Sequence, residues 1–131
     1  MVQYPSFQPS QIICLDYETR HLYAELIQVI ELRQMYWVRP LALIVSEESD
    51  PGIQFNEEQV IFDLRRGVDL LCPRSLFRVA LDTEVIPLLV RLNNLKQSQE
   101  GDRHSHQQLQ KFIQEIWNAY PDVFEPQLKS P

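Results

Sequence analysis

The sequence predicts an α+β domain: a small antiparallel β-meander, curled like an SH3-like barrel, followed by two C-terminal helices. Between Gln11 and Cys72 the apolar residues come in short runs rich in branched and aromatic side chains, broken by turn signals. Clean helical spacing, apolar residues three and four apart, is confined to the stretch after residue 80. The chain of 131 residues is one domain's worth, able to bury roughly two-thirds of the surface of its unfolded form.

Residues 1–10, with Pro5 and Pro9 among polar residues, lack a period and read as a flexible arm ahead of a globular unit over 11–120. Ile12, Ile13, Cys14 and Leu15 form a first strand, and Asp16 to Arg20 supplies its turn. The stretch from Leu22 to Leu32 satisfies both periods: Leu22, Leu26 and Ile30 are at helical spacing, yet with Ala24 they also share one parity. A strand pair is preferred over an amphipathic helix from Glu18 to Arg33, because Met35 to Val45 is rich in branched and aromatic residues. Met35, Trp37, Leu41, Leu43 and Val45 then alternate on one face, and Glu31 to Gln34 makes the turn. Pro40 lacks an N–H, which places it at an edge or a bulge.

Ser46 to Glu58 reads as a solvated acidic loop around the Asp50-Pro51-Gly52 turn. Two short strands, Val60 to Phe62 and Val68 to Cys72, are expected to join around Arg65-Arg66-Gly67, with the glycine at positive φ. A helix over about 81–96 opens with Asp82 and Glu84, and Pro87 falls in its first turn if the cap lies near Asp82. Lys96 to His106 is free of apolar residues and reads as a flexible connection. The second helix, 107–120, carries the stripe Leu109, Phe112, Ile113, Ile116, Trp117, Tyr120, and 121–131 is a tail.

Composition excludes several classes of function. No run approaches the roughly 20 apolar residues of a membrane-spanning helix, so no membrane insertion is expected. The first ten residues lack the marks of a secretory signal, which makes the cytoplasm the expected compartment. Two cysteines, Cys14 and Cys72, sit in apolar runs and read as buried thiols rather than a disulfide framework. A net charge of −6 disfavours nonspecific nucleic-acid binding. The three glycines are isolated, so no phosphate-cradling loop and no nucleotide cofactor are expected.

The search for chemistry yields no catalytic residues, no metal site and no cofactor. The paired acids Asp16 with Glu18, Asp63 with Asp69, and Asp82 with Glu84 all border predicted turns or caps. Asp102, His104 and His106 lie in a polar loop without a further imidazole or thiol, short of a structural zinc set. Cys14 with His21 as nucleophile and base would need a tertiary meeting that nothing local announces.

Two segments carry the expectation of a partner. In Tyr36-Trp37-Val38-Arg39-Pro40, aromatic area and guanidinium reach adjoin a broken strand, so Trp37, Arg39 and Pro40, with Glu47, Glu48 and Asp50 of the acidic loop, form the candidate protein-binding surface. Arg65, Arg66, Arg74 and Arg78 concentrate in one short segment and are the candidate RNA contacts. The segments WVRPLAL and DLLCPRSLFRVALDTEVIPLL resemble small proteins of cyanobacterial type, a resemblance that covers about half the chain and includes no catalytic motif. It implies no activity, and as the setting a bacterial cytosol near photosynthetic membranes. The expected function is a non-catalytic interaction or regulatory module that binds another protein or itself, with a small RNA-binding barrel as the alternative.

Overall fold

A computed structural model describes residues 10–46 and 59–123. Among these residues, strands β1 (Ile12–Tyr17), β2 (Arg20–Ile30), β3 (Met35–Val45), β4 (Val60–Asp63), β5 (Leu70–Pro73) and β6 (Phe77–Val79) precede helices α1 (Asp82–Asn93) and α2 (Gln99–Ala119). All pairings are antiparallel, in the order β4-β3-β2-β1-β6, with β5 also on β3. The α+β expectation and the long β2–β3 hairpin are therefore present. Its turn is a 3-10 turn, Glu31–Arg33, closed by Gln34 at φ 54°.

β4 and β5 do not pair around Gly67 as expected. They lie end to end along the same edge of β3, β4 on Ala42 to Val45 and β5 on Met35 to Val38. Gly67 does not have a positive φ. A side chain there would instead approach the Leu64 carbonyl at 3.3 Å, the same oxygen that accepts the Gly67 N–H. Close backbone approach, rather than handedness, is what suits glycine to this position.

The sheet is strongly bent. β2 and β1 stand between β3 and β6, which in a flat sheet would keep those strands about 14 Å apart. Yet the rings of Tyr36 on β3 and Phe77 on β6 have centroids 5.9 Å apart. Among the described residues the sheet is antiparallel and open rather than a closed barrel: β5 pairs with β3 and, after a 3-10 turn, Arg74–Leu76, β6 pairs with β1.

Register shifts at Ile27 and Leu41 divide the long strands, so the alternation expected from Met35 to Val45 changes parity midway. One face of the sheet buries Ile13, Leu15, Leu22, Leu26, Tyr36 and Val38 and is filled by Leu109, Phe112 and Ile116 of α2. The other buries Cys14, Tyr23, Ala42 and Ile44 against Leu88 and Leu92 of α1. The two helices thus cover different faces, each inward stripe arising from spacings of three and four.

Two local expectations need correction. Pro87 is the sixth residue of α1, past the first turn, so the helix forgoes the bond that an amide there would make to the Thr83 carbonyl. The segment 99–106, read as flexible, is the first two turns of α2. Ser98 caps it by accepting from the Gly101 N–H at 2.9 Å, and Asp102 is held by Arg66. The ring of His104 lies against Phe62, and Ser105 is buried. Tertiary contacts supply what the polar sequence lacks.

Candidate functional site

The tight turn at Glu18 and Thr19 sets the register of β1 on β2, so that Asp16 faces His21 and Cys14 faces Tyr23 on one side of the sheet. On the other edge of β1, β6 brings Arg78 opposite Cys14, and α1 starts soon enough to turn Glu84 inward. A continuous polar network results. His21 Nδ1 lies 2.6 Å from Asp16 Oδ1, and its Nε2 lies 3.2 Å from the Ser46 hydroxyl. The Cys14 thiol donates to Asp16 Oδ1 at 3.3 Å. Arg78 donates to Asp16 from Nε at 2.5 Å and to both oxygens of Glu84 at 2.7 and 2.9 Å. The Tyr23 hydroxyl donates to Glu84 at 2.7 Å.

Burial pushes the Asp16 and Glu84 carboxyls up, but bonds from His21 and Arg78 to the first, and from Arg78, the Leu81 amide and Tyr23 to the second, hold both below the usual carboxylate range. Burial, then the nearby Asp16 charge, raises the Cys14 thiol well above its ordinary value. The order Ser46, His21, Asp16 has the connectivity of a hydrolytic triad. Its geometry argues for structure instead: Ser46 also donates to the Thr19 carbonyl at 3.3 Å, His21 and Ser46 are buried, and Asp16 is shared with Arg78. Cys14 as nucleophile fares no better, since its thiol is held in the neutral form. As donors, however, Cys14 Sγ, an Asp16 oxygen and a His21 nitrogen all lie within 4.8 Å of one another.

The predicted partner residues divide. Trp37 and Arg39, opposite Gln28 and Glu25 in the register, stand on the same sheet face as the network and are exposed. The indole N–H donates to Asp69 Oδ2 at 2.9 Å, and Arg39 reaches both oxygens of Asp69 at 3.1 and 3.3 Å. Leu71, the register partner of Trp37, is 57% exposed beside them. Pro40 does not join this surface. It is buried, in the stretch of β3 that neither β4 nor β5 covers, next to the Leu41 bulge. Glu47, Glu48 and Asp50 lie outside the described residues.

The candidate RNA contacts are engaged with protein. Arg65 pairs with Asp63 and donates to the Leu92 carbonyl, and Arg66 bridges Asp63 and Asp102. Arg74 donates to Gln34 and stacks near Tyr36, while Arg78 is divided between Asp16 and Glu84. Arg66 also borders a cleft of about 360 Å³ between the β4–β5 connection and α2, shared with Leu64, Val68, Arg103 and His106.

Sequence reasoning missed a second apolar surface. Leu88 and Leu92 turn α1 inward, yet Ile86, Leu89 and Val90 on its outer side are 62%, 41% and 56% exposed. The signal was present: apolar residues at 85, 86, 88, 89, 90 and 92 circle the helix instead of keeping to one stripe. The chain matches no protein-family model, and comparison with curated proteins and with solved structures finds no significant similarity.

Proposed function

We propose that the chain is a non-catalytic protein-interaction module of a bacterial cytosol, with a regulatory or assembly role, and that it docks a partner polypeptide on the outer face of α1. The observation that carries this reading is the outward stripe Ile86, Leu89 and Val90 on a helix whose opposite side is already buried. A helix apolar on both sides matches a chain that buries the second side against something else.

The Trp37, Arg39 and Leu71 strip is a second exposed surface, at the other end of β3 from the residues that α1 covers. Asp69 fixes the indole and the guanidinium before any partner arrives, which lowers the ordering cost of binding. Tryptophan and arginine are among the residue types that dominate interface energetics.

The RNA alternative is weaker, because the candidate arginines would have to abandon carboxylate or carbonyl partners to meet phosphates. The test compares the parent chain with an Ile86→Glu, Val90→Glu variant and with Arg39→Glu. Unchanged circular dichroism and melting, together with loss of a reproducibly copurifying protein, would support docking. Retention of that protein by both variants would refute it.

A further inference from the structure

We infer that Cys14, Asp16 and His21 form a binding site for a zinc-type divalent ion, independent of the docking surface. The three come from the two strands of one tight hairpin, so their placement does not depend on a distant loop. Thiolate, imidazole and carboxylate together favour zinc over magnesium or calcium, which prefer oxygen alone.

The geometry comes close to the requirement. A tetrahedral ion at ordinary zinc bond lengths needs its sulfur and oxygen donors about 3.6 Å apart and its nitrogen and oxygen donors about 3.3 Å apart. Cys14 Sγ and Asp16 Oδ1 are 3.3 Å apart, and His21 Nδ1 and Asp16 Oδ1 are 2.6 Å apart. Small side-chain rotations supply the difference. Asp16 Oδ2 is held by Arg78 Nε at 2.5 Å, which orients the carboxylate, while the longer contact from Arg78 Nη2 to Oδ1, 3.3 Å, is the one an ion would replace. Binding would take the Nδ1 hydrogen bond of His21 away from Asp16 and give that lone pair to the ion, the ring's other nitrogen keeping Ser46 Oγ as its partner.

Charge points the same way. The network sets two carboxylates, Asp16 and Glu84, around the guanidinium of Arg78. A divalent ion would bind there with loss of the Cys14 proton to solvent, leaving a thiolate ligand. The Asp16 side chain is 27% exposed, which gives the ion a way in and a water its fourth position.

Titration of the metal-free protein with Co²⁺, followed by its visible and near-ultraviolet spectrum, tests the site. The expected result is one equivalent bound, a sulfur-to-cobalt charge-transfer band, displacement by Zn²⁺, and a melting temperature raised by Zn²⁺. Cys14→Ser should abolish the band and weaken Zn²⁺ by at least about tenfold, while a His104→Gln, His106→Gln variant should retain both. Absence of the band and of any Zn²⁺-dependent melting shift in the parent chain would overturn the proposal, as would a band that survives in Cys14→Ser.

Discussion

Arg78 on β6 grips both oxygens of Glu84, at 2.7 and 2.9 Å, and so ties the first turn of α1 to the edge of the sheet. The same guanidinium reaches Asp16 on β1, and Glu84 also accepts from Tyr23 on β2. One buried carboxylate thus joins three elements. Glu84→Ala should lower the unfolding free energy by about 3 kcal/mol, because it removes the buried carboxylate to which both Arg78 and the Tyr23 hydroxyl are bonded. Denaturant melts measure this, and a change near zero would mean that α1 is held by Leu88 and Leu92 alone.

Stability should depend on pH in the acid range. Burial raises the Glu84 and Asp63 carboxyls, but the bonds from Arg78 and Arg65 respectively outweigh it, and both lie below their ordinary values of 4.5 and 3.8. Groups depressed in the folded state stabilise above their unfolded pKa and lose that contribution as pH falls through the folded value. The denaturation midpoint should therefore stay level from about pH 7 to about pH 5.5 and fall below about pH 4. In an Asp63→Asn variant the acid limb should be shallower.

Both thiols should resist modification in the native protein. Cys14 and Cys72 are free and buried, and burial pushes the Cys72 thiol up to about 12. A thiol-reactive chromophore should report almost no reaction until denaturant is added, then two equivalents. Fast native labelling of Cys72 would mean that β5 detaches from β3.

Filter binding at low salt should retain no single-stranded RNA. Arg65, Arg66 and Arg78 each make a bidentate or bridging contact with carboxylates, so these candidate contacts are already engaged. Retention that falls steeply with salt would restore the RNA reading.

What the sequence disclosed follows how local each determinant is. The β2–β3 hairpin was legible because branched and aromatic residues from Met35 to Val45 favour a pleated surface. α1 was legible because Asp82 and Glu84 precede a dense apolar run. The bulges at Ile27 and Leu41 were not, since nothing in either residue announces an extra position in the ladder. β6 has three residues and exists only because β1 offers it an edge. The first turns of α2 depend on Arg66 and Phe62, remote in sequence, and a polar segment carries no trace of them. Cys14, Asp16 and His21 converge once the turn is placed at Glu18 and Thr19, a register too short for periodicity to fix.

The central claim, docking on the outer side of α1, is tested most directly by site-specific photo-crosslinking in the cells that make the protein. A photoreactive residue replaces Ile86 in one chain, Trp37 in a second and Gln110, exposed on α2, in a third. The account predicts a discrete adduct with one polypeptide from position 86, a weaker one from position 37 and none from position 110. No adduct from position 86, or an equal one from position 110, would contradict it.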